Sequence, residues 1–119
     1  MSSRMRRVDE SVRQVVADAV ATYISDPRIG FVTITDVRTS PDLRMSDIYV
    51  SVLGDEEAKA SALAGLESAH GRIQSEIARQ MRMKRTPTLR FVIDETPEQA
   101  ERVERLLGES APDAPGEQA

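Results

Sequence analysis

The sequence predicts an α+β fold in two layers. The expected order is helix, strand, strand, kinked helix, strand, helix, with a three-stranded mixed sheet carrying its helices on one face. Three observations lead there. Apolar residues recur at steps of four, three and one through residues 8–24, the mark of a helix with one buried face. They alternate with polar ones through 45–53, the mark of a strand with one wet face. Two strand patterns are then separated by a long helical one, and such a crossover places the third strand parallel to the second.

Each element has its own grounds. Val8, Val12, Val15, Val16, Ala19, Val20, Tyr23 and Ile24 form the apolar stripe of the first helix. Ser25-Asp26-Pro27 ends it, because a residue before proline is pushed out of the helical region. Gly30 to Thr39 is rich in β-branched residues, with Val32 and Ile34 on one parity and Val37 on the other, so a bulge is expected near Thr35-Asp36. Ser40-Pro41-Asp42 makes the turn, and Ile48, Val50 and Val52 face inward on the second strand. The second helix is expected over residues 56–83, interrupted at Gly65 and Gly71 and kinked at Ala69-His70-Gly71. Leu89, Phe91 and Ile93 mark the third strand. A short helix follows, with Thr96 as cap, Pro97 at its first position and Gln99 completing a capping box. Ala100, Val103, Leu106 and Leu107 form its apolar side. Residues 1–108 read as one domain and 109–119 as a disordered acidic tail.

Composition narrows the chemistry. With 119 residues the chain holds one core. It has no cysteine and one histidine, His70, which excludes disulfides, thiolate metal sites and thiol nucleophiles. His70 sits on the apolar stripe beside Leu66 and Ile73, where a packed or capping role is expected, so no enzyme activity, metal or cofactor is predicted. No glycine-rich phosphate loop follows a strand, and no apolar run nears the roughly 18 residues that span a bilayer. The expectation is a cytoplasmic monomer without a membrane partner or a small-molecule substrate.

Charge is the informative feature. Residues 1–93 carry 14 basic and 12 acidic side chains, whereas 94–119 carry 2 and 8. Within 72–90, Arg72, Arg79, Arg82, Lys84, Arg85 and Arg90 face Glu76 alone. Arg4, Arg6, Arg7 and Arg13 add positive charge from the first helix. So many cations with so few acids predict a phosphate-binding surface, where the plainer alternative is a solvated helix face. The aromatic residues are Tyr23, Phe31, Tyr49 and Phe91, and they form no paired stacking platform of the kind that sheet-based RNA readers use.

The order of elements and the basic second helix resemble a type II KH domain. More closely, the chain is similar to the ribosome-binding factor A family over about residues 4–107. The resemblance is carried by Asp26-Pro27-Arg28, Thr33-Ile34-Thr35-Asp36-Val37, Ser40-Pro41-Asp42-Leu43, Tyr49-Val50-Ser51-Val52, Ala69-His70-Gly71, and Pro87-Thr88-Leu89-Arg90-Phe91 through Asp94. Ala69-His70-Gly71 resembles the family's alanine kink in place of a GxxG loop. The chain departs from the family after Gly71, with Arg72, Ile73 and Gln74 where an aromatic or aliphatic residue, an aliphatic one and an arginine are usual. The resemblance implies a non-enzymatic factor that binds the free small ribosomal subunit, assists late maturation and 16S rRNA processing, and has a role in cold adaptation. The expected RNA-binding set is Arg4, Arg6, Arg7, Arg13, Ala69, His70, Gly71, Arg72, Arg79, Arg82, Lys84 and Arg85. Two other readings stand beside it, a generic single-stranded RNA-binding KH module and a protein-interaction adaptor without RNA binding.

Overall fold

The computed structural model describes residues 3–96 and 103–107. The expected tail over 109–119, and Pro97, Gln99 and Ala100 of the closing helix, lie outside these residues. Helix α1 spans Ser3–Thr22, strand β1 Val32–Thr39, strand β2 Met45–Val52, helix α2 Glu56–Ser68, helix α3 His70–Met81 and strand β3 Thr88–Ile93. The sheet order is β1-β2-β3, with β1 antiparallel and β3 parallel to the central β2. The register of β1 against β2 slips between Ile34 and Asp36, which places a bulge at Thr35. The extra residue lets Ile34 and Val37 both point into the core across a change of parity.

The core joins Val12, Val15 and Val16 of α1 to Ile34, Val37, Ile48, Val50, Leu89 and Phe91 of the sheet and to Leu66, Ile73 and Ile77 of α2 and α3. Burial of each such side chain stabilises by up to about 1.5–3 kcal/mol, and this packing holds a valine-rich α1 whose helix propensity is modest. Asp9 locks its direction, accepting the Thr39 backbone N–H at 2.9 Å. The start of α1 therefore lies at the sheet end where β1 finishes and β2 and β3 begin.

The long second helix breaks at Ala69 rather than at either glycine. Ala69 takes φ −89° and ψ 3°, and its N–H is shared by the carbonyls of Gly65 and Leu66 at 3.1 Å each, so the last turn of α2 tightens. Helix α3 restarts with the Ile73 N–H bonded to the Ala69 carbonyl at 3.0 Å. Gly65 has a packing role. A Cβ there would meet Ile29 Cγ1 at 2.7 Å, because the Asp26–Ile29 turn lies against α2. Arg28 fastens that turn, bonding Asp26 Oδ2 at 2.7 Å and Ser68 Oγ at 3.0 Å. Gly71 is helical and exposed, and a Cβ added to it would meet nothing within 4 Å.

Residues 103–107 are helical, as expected, but Val103, Leu106 and Leu107 are 54%, 55% and 63% exposed. Their apolar side is not part of the core.

Candidate nucleic-acid interface

The predicted cations separate into three settings. Arg82, Lys84 and Arg85 occupy the α3–β3 connection. Arg82 caps α3 in the left-handed conformation, φ 56°, with its N–H bonded to the Ala78 carbonyl. This reversal turns Met83 toward the core while Arg82, Lys84 and Arg85 stay exposed, and Pro87 is buried at the entry to β3. None of the three cations makes an ion pair with another described residue. The connection enters β3 beside β2, with the Thr88 N–H bonded to the Arg44 carbonyl at 2.8 Å. It therefore shares one end of the sheet with Arg4, Arg6 and Arg7, exposed in the first turns of α1.

Arg72 and Arg79 are in a second setting. Both flank Glu76, whose carboxylate is buried at 7% exposure. Glu76 accepts from Arg79 Nη2 at 2.6 Å and from Gln80 Nε2 at 3.1 Å, and it lies 3.8 Å from Arg72 Nε. The hydrogen bond from Arg79, then that from Gln80, holds the Glu76 carboxyl below its ordinary pKa. Arg72 also stands over the Tyr23 ring, its Cζ 5.2 Å from the centroid.

Arg13 belongs to a third setting with Arg6. Its Nε donates to Glu10 at 3.0 Å, and both arginines line an open cleft along β1 with Asp9, Asp36 and Arg38. There the positive charge alternates with carboxylates.

Ala69, His70 and Gly71 divide in the same way. Ala69 packs against the core. His70 Nε2 accepts the Leu89 backbone N–H at 3.0 Å, so the ring caps the outer edge of β3. Four residues on, Gln74 donates to the Pro87 carbonyl at 2.8 Å, so the residue that departs from the family pattern is a second stitch between α3 and the entry of β3. Gly71 alone leaves open backbone toward solvent.

Tyr23 is the residue that the periodicity misplaced. It continues the apolar spacing of α1 and so reads as core, but α1 ends at Thr22 and Tyr23 is 43% exposed, with the Arg72 guanidinium over its ring. The one signal in the sequence that could have found it is an aromatic residue near a helix-ending Ser-Asp-Pro run.

Comparison with known proteins bears on the chain as a whole. The profile of the ribosome-binding factor A family matches residues 4–107. Ribosome-binding factor A of Acidothermus cellulolyticus is 46% identical over 105 residues, covering 88% of this chain and 70% of that protein. The crystal structure of ribosome-binding factor A from Thermus thermophilus superimposes with a TM-score of 0.67 at 29% identity, covering 75% of this chain and 94% of that one. A Thermus thermophilus homology model fitted into the electron cryo-microscopy map of a 30S–RbfA complex gives a TM-score of 0.61 at 30% identity, over 72% of this chain and 90% of that one.

Proposed function

Because the chain belongs to the ribosome-binding factor A family, we propose that it binds the free small ribosomal subunit late in assembly and assists maturation of 16S rRNA. The observation that carries this reading is the run Arg82, Lys84 and Arg85, exposed and without ion pairs among the described residues, at the same sheet end as Arg4, Arg6 and Arg7. Such a cluster pairs with phosphates and releases their counterions. The factor works by binding, without covalent chemistry. Its one histidine is committed to the Leu89 N–H, and its basic surface favours one arrangement of the RNA over others and shifts the population toward it. That effect matters most in the cold, where RNA helices rearrange slowly.

The protein acts in the cytoplasm as a monomer. Three backbone donors on the edge strands are capped from within the chain. Val37 N–H bonds Asp36 Oδ1 at 2.9 Å, Thr39 N–H bonds Asp9 and Leu89 N–H bonds His70. Edges capped in this way resist pairing with a second copy.

Sedimentation with isolated small subunits, large subunits and complete ribosomes tests the reading. The chain is expected to travel with free small subunits only. Equal recovery with large subunits would reduce it to a non-specific polycation.

A further inference from the structure

We propose that Tyr23, Arg72 and Arg79 form a stacking site for one unpaired nucleobase with its phosphate, beside the purely electrostatic surface at 82–85. The proposal rests on the RNA-binding reading above and adds the kind of RNA feature that this surface takes.

The geometry supplies both halves of a nucleotide's complement. The Tyr23 backbone is pinned by its N–H to the Ala19 carbonyl at 2.8 Å, which fixes where the ring emerges from the end of α1. The ring is 43% exposed, and the Arg72 guanidinium stands 5.2 Å from its centroid. A tyrosine ring and a guanidinium plane are the two surfaces on which bases stack without sequence preference. The arginines are held in position. Glu76, buried between them, bonds Arg79 at 2.6 Å and lies 3.8 Å from Arg72, yet the two arginine side chains remain 63% and 53% exposed. One carboxylate against two guanidinium groups leaves a net positive charge whose outer N–H donors face solvent, which suits one phosphate. Gly71, next to Arg72, leaves open space where another residue's Cβ would stand. A base inside a duplex is covered on both faces by its neighbours, so the site selects a single-stranded, bulged or end nucleotide.

The alternative is that Arg72 over Tyr23 only clasps α3 to α1. The two differ in what salt and strandedness do. A stacked base displaces no counterion, so removing the stack leaves the salt slope unchanged, whereas removing a cation that pairs with phosphate flattens it. The probes are a labelled oligoadenylate RNA of about ten nucleotides and the same strand annealed to oligouridylate, measured on the full chain over a range of salt. Tyr23→Ala is expected to weaken single-strand binding by about five- to a hundredfold with an unchanged salt slope. Tyr23→Phe should stay within about twofold of the parent, since the ring is kept. Duplex binding should not change in either variant.

The chain has two tyrosines and no tryptophan, so in Tyr49→Phe the emission is that of Tyr23 alone. It should be quenched by the single strand and not by the duplex. Single-strand binding by Tyr23→Ala at parental strength overturns the stacking site and leaves the phosphate surface standing. So does a lowered melting temperature with parental affinity per folded molecule, or an equal weakening on the duplex. If the parent chain binds neither RNA, the RNA-binding reading itself fails.

Discussion

The flank of the molecule along β1 and the connection that leads into β3 are both rich in arginine, yet they differ in what stands next to the charge. Along β1 and on the solvent face of the sheet, Arg13 pairs with Glu10, Arg38 with Asp36 and Arg90 with Asp47, and in the turn against α2 Arg28 pairs with Asp26. In the connection, Arg82, Lys84 and Arg85 have none among the described residues. Counting cations along the chain treats the two regions alike, whereas pairing makes one electrically quiet and leaves the other able to attract phosphate. The third case, Arg72 and Arg79 sharing Glu76, lies between them. A functional surface here is defined by the acids that are missing as much as by the bases that are present.

The sharpest way to test that contrast is to neutralise Arg82, Lys84 and Arg85 together with glutamine. Binding to small subunits should fall by about tenfold or more at low salt, and the log–log salt slope should decrease by roughly 0.7–0.9 for each phosphate that is no longer neutralised. Circular dichroism should show an unchanged fold, because surface changes away from packed features cost within about 0.5 kcal/mol each. The matching variant neutralises Arg13, Arg38 and Arg90. Its binding and slope should change little, because these guanidinium groups already have carboxylate partners. Equal weakening in the two triple variants would show that pairing does not matter and that only total charge does.

A prediction of intermediate size concerns the two glycines that look equivalent in the sequence. Gly65→Ala should destabilise by about 1–3 kcal/mol through overpacking against Ile29, partly offset by the better helix propensity of alanine. Gly71→Ala should leave stability unchanged or raise it by up to about 1 kcal/mol, since its Cβ enters open space. Urea unfolding of both variants measures the difference.

Those glycines show where the sequence was legible. The bulge at Thr35 was readable because a change of parity needs an extra residue, and the parallel β3 because a helical crossover permits it. The paired Glu10 and Arg13 were readable in principle from their spacing of three. The break at Ala69 was readable in place, within Ala69-His70-Gly71, but not in what fixes it, which is tertiary: the tie of Arg28 to Ser68 just before it and the reach of His70 to Leu89 just after it. The pairing of Arg90 with Asp47 was equally hidden, since the residues are 43 apart and meet only once β2 and β3 adopt their register. Tyr23 was misassigned because periodicity says which face a residue shares and not where the helix stops. The set of cations was legible, and their partners largely were not.

The smallest effect expected is on the pH dependence of stability, and it comes from the paired acids alone. Asp26 is held below its ordinary pKa by the side chain and then the backbone N–H of Arg28, Glu76 by Arg79 and then Gln80, and Asp94 by Thr35 Oγ1 and then the Thr96 N–H. A carboxyl whose folded pKa is depressed contributes stability that is fully present above its unfolded value, near 4 for carboxylates, and is lost as pH falls through the lower folded value. Melting temperature should therefore be flat from neutral pH down to about 5 and decline below about 4. The contributions of Asp26 and Asp94 are modest because these two groups are partly exposed. The acid-induced decline should shrink in Asp26→Asn and Asp94→Asn, which remove titrating partners, and persist in the variant lacking Arg82, Lys84 and Arg85, whose cations tie no described carboxylate. A triple variant without the acid-induced decline would reveal carboxylates bound to the connection, and the contrast between the two regions would then fail on its electrostatic ground.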